Sequence, residues 1–164
     1  AQAQVAIGDV RRLVYDLRPP ALDQLGLVGA LQQQATQITT AGLAVQVAAP
    51  PDLLALPAAV EVAAYRIAAE ALANAVRHSR GQRCIIWLCL DDAFYVAVDD
   101  DGVGLPADLR AGVGLLSMRE RAEEVGGACR VERRPEGGTR VIARLPIDLA
   151  QVHVQAGLSA FRKD

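Results

Sequence analysis

Glu70, Asn74, Arg77 and His78 fall at i, i+4, i+7 and i+8 of a largely apolar segment. On a helical period they make a single polar stripe. The solvated face of an amphipathic helix has the same spacing. Such a face, however, more often mixes Glu with Lys than carries an Asn in mid-helix, where Asn is a poor helix former. Three glycine-rich stretches follow. Asp99-Asp100-Asp101-Gly102-Val103-Gly104 comes directly after a predicted strand, and its alternate glycines let the backbone approach a ligand closely. Gly112-Val113-Gly114-Leu115 enters a predicted helix, whose first amides can face an anion. Gly137-Gly138-Thr139 alone is a hairpin turn. Taken singly, an Asp/Gly turn, a helix cap and a hairpin account for all three. None fits the Gly-x-Gly-x-x-Gly pattern that opens the helix of a dinucleotide-binding unit.

The elements that must hold these groups are legible from periodicity and punctuation. A first helix is predicted over residues 2–17, ended by Arg18-Pro19-Pro20, and it reads as the tail of a longer element. A second covers 24–40 with Gly42 as its stop, and a short strand follows at 43–47. The third helix runs from Pro57 to about His78 and is ended by Gly81, placing the polar stripe on its last turns. Strands at 84–90 and 94–98 make a hairpin, the loop 99–112 leads into a helix over 115–125, and strands at 128–133 and 139–145 make a second hairpin. This order predicts an α+β fold, a two-layer sandwich with helices collected on one face of a mixed sheet.

Composition bounds the rest. A chain of 164 residues with net charge −2, 52% hydrophobic and 22% charged residues and mean hydropathy +0.20 is one globular domain with a possible appendage. Aromatics at 4% and a pI near 5.7 leave neither a stacking platform nor a basic footprint for nucleic acid. The longest uncharged stretch, 24–51, carries six Gln and three Thr, which excludes a membrane helix, and no signal peptide is visible, so the chain reads as cytoplasmic. Cys84, Cys89 and Cys129 are odd in number and lack metal spacing, so free thiols are expected.

In order and spacing, Glu70-x-x-x-Asn74, Asp100-x-Gly102-x-Gly104, Gly112-x-Gly114 and Gly138-Thr139 resemble the ATP-binding fold shared by gyrase, MutL, the cytosolic heat-shock chaperone and histidine kinases. The piece Glu70-Ala71-Leu72-Ala73-Asn74-Ala75-Val76-Arg77-His78-Ser79 looks like the asparagine box of sensor histidine kinases. Leu17-Arg18-Pro19-Pro20-Ala21-Leu22-Asp23-Gln24-Leu25-Gly26-Leu27 resembles the junction between dimerisation helix and catalytic domain in the class that partners NarL-type response regulators. Leu115-Leu116-Ser117-Met118-Arg119-Glu120-Arg121 is similar to the same class.

The resemblance implies a division into residues 1–20, the end of a dimerisation and phosphoacceptor domain; 21–147, a catalytic ATP-binding domain; and a tail, 148–164. It implies ATP and Mg²⁺ as cofactors. Asn74 would be the metal ligand, a neutral hard oxygen suited to an ion held largely by phosphate and water. Asp100, if ionised, would select the adenine amino group, because a carboxylate only accepts hydrogen bonds. Arg77 and His78 would meet phosphate oxygens, Gly102, Gly104, Gly112, Gly114 and Leu115 would line the nucleotide, and Thr139 would support the base. The resemblance makes Glu70 and Asn74 the expected catalytic pair. In the ATPases of the superfamily the carboxylate activates water; in a kinase the nucleophile is an imidazole, which leaves Glu70 an orienting role.

The implied activity is transfer of the ATP γ-phosphoryl group to a histidine on the protein's own dimerisation domain, for relay to a NarL-type regulator. Homodimerisation and a possible membrane anchor belong to the full-length protein, and no membrane contact to this piece. The chain departs from the family in two respects. Only seven residues separate Gly104 from Gly112, without a phenylalanine box, which implies a small, mobile cover. The acceptor histidine is also missing, since His78 belongs to the asparagine box and His153 to the tail. Two other classes stay open: a non-catalytic nucleotide-binding or docking module, and an ATPase or anti-sigma-type serine kinase on the same fold, against which the junction argues.

Overall fold

The computed structural model describes residues 17–105 and 112–150. Its elements are α1 (Pro20–Thr40), β1 (Ala44–Ala48), α2 (Ala58–Asn74), a π turn (Ala75–Ser79), β2 (Arg83–Leu90), β3 (Phe94–Asp100), α3 (Val113–Glu124), β4 (Ala128–Arg133) and β5 (Thr139–Leu145). The strands form one sheet in the order β1-β2-β3-β5-β4, with β1 parallel to β2 and the remaining pairs antiparallel. The α+β sandwich expected from the sequence is the fold observed.

Strand alternation explains why the helices lie together. Cys84, Ile86 and Leu88 of β2 and Phe94, Val96 and Val98 of β3 are buried, whereas Ile85, Trp87 and Cys89 lie on the opposite face. The buried set joins a single core with Leu22 and Leu31 of α1, Ile67 and Leu72 of α2, and Met118 and Ala122 of α3. With so few aromatics the core is aliphatic. The alanines of α2 at 63, 64, 68 and 71 are all buried and let its backbone settle close to the sheet and to α3.

Several boundaries differ from the expectation, each for a physical reason. The second predicted helix begins at Pro20 rather than at 24, with proline in the first turn, and it is broken at Gly26, whose φ of 69° and ψ of 179° are open essentially only to glycine. The third predicted helix is not one α-helix to His78. It changes at Ala75 into the π turn, and the residue that leaves the helix is Arg80 in the left-handed conformation. Gly81 serves another purpose: a Cβ there would stand 2.4 Å from Asp101 Oδ1. The helix predicted from Leu115 starts at Val113, and β3 runs on to Asp100, taking two of the three acids out of the predicted loop. The predicted helix at 2–17 apart from Leu17, the cover at 106–111, and the tail from 151 with His153 lie outside the described residues.

Cys84 and Cys89 point to opposite faces of β2, as their odd separation requires. Burial pushes the Cys84 thiol up to about 12, aided by the carboxylates of Asp100, Asp99 and Asp101, and pushes Cys129 up to about 11. Thiolate is the reactive form, so these two thiols are inert in the native protein. The native chain is expected to present a single fast-reacting thiol, Cys89, to an aromatic disulfide reagent at pH 8, and three after denaturation. Two or more fast thiols in the native state would contradict the burial of Cys84 or Cys129.

Candidate functional site

Alternation also builds the floor of the site. Val98 and Asp100 of β3, Val141 and Thr139 of β5, and Val131 and Arg133 of β4 share one side of the sheet, with Val98 opposite Val141, Val141 opposite Val131 and Thr139 opposite Arg133. The last turn of α2 and the π turn supply one wall through Glu70, Asn74, Arg77 and His78. The start of α3 supplies another through Gly112, Gly114 and Leu115. Gly104 and Leu105 close the edge, and the whole surrounds a cavity of about 720 Å³.

The three consecutive acids do not face one another; each goes a different way. Asp99 points to the outer face, buried under Arg140, which donates to it from Nε at 2.7 Å and from a terminal nitrogen at 2.6 Å. Asp101 caps the start of β2, its Oδ1 accepting the amides of Gln82 at 2.8 Å and Arg83 at 2.9 Å. The Arg83 amide foremost holds the Asp101 carboxyl below its usual range against the opposing effect of burial, and the Gln82 amide adds to it. Its contribution to stability is therefore full above the ordinary carboxylate range and is lost as acidification protonates the folded carboxyl. Only Asp100 faces the cavity. Its Oδ1 accepts the amides of Gly102 at 2.9 Å and Thr139 at 3.3 Å, and no hydrogen bond from the described residues engages Oδ2. A buried carboxylate in a cavity wall, fixed through one oxygen by two amides, selects a hydrogen-bond donor.

At the other end, Arg77 bridges the two residues expected to be the catalytic pair, Glu70 and Asn74, the latter also the expected metal ligand. One of its terminal nitrogens donates to Asn74 Oδ1 at 3.2 Å and to Glu70 Oε1 at 3.4 Å. Three members of the polar stripe therefore meet in space, and His78 lines the same cavity despite the π turn. A smaller cavity of about 380 Å³ lies against this end. It shares Glu70, Arg77, Val113 and Gly114 and adds Arg66, Ser117 and Arg121.

The glycines divide by function. Gly104, at φ +76°, and Gly112 line the cavity. Gly114 does too, but its missing Cβ also makes room for Glu70, whose Oε1 would lie 2.4 Å away. At Gly102 a Cβ would meet the Ser79 carbonyl oxygen at 2.1 Å, so its missing side chain lets the Asp loop pack onto the π turn. Sequence reading did not single out Arg133 or the valines of the floor. The parity of β3, β4 and β5 carries that signal, since any residue an even number of positions from Asp100 or Thr139 on its own strand shares their face.

Residues 59–149, more than half of the chain, match the family model described as "Histidine kinase-, DNA gyrase B-, and HSP90-like ATPase". The chain belongs to this family. Among characterised and catalogued relatives it is 30% identical over 146 residues to a signal transduction histidine-protein kinase/phosphatase, DegS, of Brevibacillus brevis, covering 87% of this chain and 38% of that one. It is 32% identical over 148 residues to the sensor histidine kinase MctS of Rhizobium johnstonii, covering 86% and 32%. The chain thus spans well under half the length of these relatives. The ATP-binding domain of PrrB from Mycobacterium tuberculosis superposes with a TM-score of 0.54 at 26% identity, over 76% of this chain and 93% of that one. The histidine kinase domain of a blue-light-activated kinase from Erythrobacter litoralis shares the fold with a TM-score of 0.62 at 24% identity, over 80% and 69%.

Proposed function

We propose that this chain is the ATP-binding catalytic domain of a sensor histidine kinase, and that it presents the γ-phosphoryl group of ATP to a histidine on a dimerisation domain of the same protein. The observation that carries this reading is the polarity of the cavity. It has a buried acceptor, Asp100, at one end and a carboxylate, amide and guanidinium cluster at the other, with an apolar floor between them. That polarity suits a molecule with an amino-bearing flat base and an anionic tail.

The residues present also fit Mg²⁺. Among the described residues no cluster of three His, Cys, Asp or Glu could enclose an ion, and Mg²⁺ needs none, because it keeps most of its shell as water and phosphate oxygen. Asn74 would supply the protein oxygen, and the ion, when bound, would neutralise charge on the phosphates. Arg77 would then leave Asn74 Oδ1 for phosphate oxygens, while Glu70 holds the cluster together. In the transfer itself the imidazole nitrogen forms the N–P bond as the bond from the γ-phosphorus to the bridging oxygen breaks, and ADP leaves. The domain contributes positioning and charge neutralisation. The smaller cavity, which shares Glu70, Arg77 and Gly114 with the nucleotide site, gives the acceptor segment an approach to the phosphate end. The partners of the whole protein in this reading are its own acceptor domain as a homodimer and a NarL-type response regulator, in the cytoplasm. No helix among the described residues is long and apolar enough to cross a membrane.

Incubation with γ-labelled ATP tests the reading. The chain alone is expected to stay unlabelled, and a separately supplied dimerisation segment to acquire acid-labile label slowly, since tethering at about millimolar effective concentration is missing. Label on neither would favour a docking module. Asn74→Ala is expected to leave the fold intact, alanine being the better helix former, while reducing the Mg²⁺-dependent gain in ATP affinity about tenfold or more. Circular dichroism with calorimetry at two Mg²⁺ concentrations checks both, and an unfolded variant would make Asn74 structural.

A further inference from the structure

We propose that Arg133 is a specificity-determining residue of the nucleotide site, its guanidinium stacking on the adenine ring; the proposal rests on the nucleotide-binding reading. Arg133 is the last residue of β4 and pairs with Thr139, whose amide reaches Asp100. Asp100, Thr139 and Arg133 therefore form one row across the sheet on the cavity side, beside the row Val98, Val141 and Val131. A purine laid on this floor with its amino edge at Asp100 extends along the row toward Arg133.

Two further observations assign a role to that position. Among the described residues lining the cavity there is no Phe, Tyr or Trp, so beside aliphatic side chains and the His78 imidazole a guanidinium plane is the surface that can meet the faces of the ring. Arginine stacks favourably on an aromatic face. The Arg133 side chain is also held in place: a terminal nitrogen donates to the Leu105 carbonyl oxygen, and its Cγ and Nε lie 3.6 and 3.7 Å from where a Cβ on Gly104 would stand. It thus ties to the Gly104–Leu105 backbone in the row of Asp100 and Thr139, whereas Arg77 sits with Glu70 and Asn74 at the other end. Ordering a guanidinium before the ligand arrives leaves less entropy to lose on binding.

The two ends of the ligand separate the outcomes. Adenosine, followed by ligand-observed NMR, and ADP, followed by calorimetry, are titrated into the 164-residue chain, into Arg133→Met and into Arg133→Lys. Arg133→Met is expected to weaken adenosine and ADP by the same factor, roughly three- to tenfold. Arg133→Lys, which keeps the cation and the reach to Leu105 but not the plane, is expected to restore the melting temperature and only part of the affinity. A loss confined to ADP would move Arg133 to the phosphates and overturn the proposal. Full recovery of affinity in Arg133→Lys would reduce Arg133 to support for the loop and also overturn it. If the unsubstituted chain bound neither ligand, the nucleotide-binding reading would fall, and the stacking proposal with it.

Discussion

Gly138→Ala is expected to destabilise the domain by on the order of 2 to 5 kcal/mol, combining the left-handed backbone penalty with overpacking. Gly138 has φ +89°, and a Cβ on it would lie 1.9 Å from the Asp100 carbonyl oxygen and 3.0 Å from the Asp101 Cα. Both neighbours are backbone, so neither can swing aside as a side-chain end does. Arg134 closes the same junction, donating to the Asp100 carbonyl oxygen at 2.8 Å. Displacing the hairpin from Asp100 therefore disturbs the site as well as the fold. Gly126→Ala is the internal control, with a similar φ of +77° but no atom within 4 Å of the added Cβ, so it should show the backbone penalty alone. Urea unfolding of the two variants separates the effects; equal losses would mean that the contact at Asp100 relaxes freely.

Asp100→Asn should leave the fold nearly unchanged and lower ATP affinity roughly 10- to 100-fold, the range for a polar group left facing the wrong partner. The asparagine oxygen can still accept the amides of Gly102 and Thr139, which preserves the local structure. What changes is the second atom: an oxygen that accepts from the adenine amino group becomes an NH₂ that opposes it. The guanine carbonyl oxygen, by contrast, gains a donor. Competition calorimetry with ATP and GTP should show the preference for ATP collapsing. An unchanged ratio of affinities would remove the base from this end of the cavity.

Much of this arrangement was legible in the sequence because it is local. The stripe Glu70, Asn74, Arg77 and His78 needs only helical spacing, and the π turn shifts it without dispersing it, so all four residues still line one cavity. The second hairpin was bounded correctly, since Thr139–Leu145 alternates cleanly and Gly137-Gly138 can turn only there. What escaped depends on contacts distant in sequence. Nothing local says that Asp99, Asp100 and Asp101 part three ways; that follows from Arg140 on the neighbouring strand and from the amides of Gln82 and Arg83 on another. Gly102 looked like a ligand-approach glycine, and only the packing of Ser79 against it shows that its neighbour is the protein itself. Arg133 belongs to a charged pair beside a turn, and only the register of β4 against β5 brings it to the cavity.

The single tryptophan, Trp87, sits on the outer face of β2 opposite Ala97 and Ala48, 45% exposed, with the thickness of the sheet between its indole and the cavity. The chain therefore has one tryptophan reporter, and it looks away from the site. A titration followed at tryptophan wavelengths should stay flat while nucleotide fills the cavity, so a silent trace carries no information about binding. The same indole should respond to whatever approaches the back of the sheet. A change in its emission caused by nucleotide would mean that the sheet itself alters its twist, carrying the state of one face to the other.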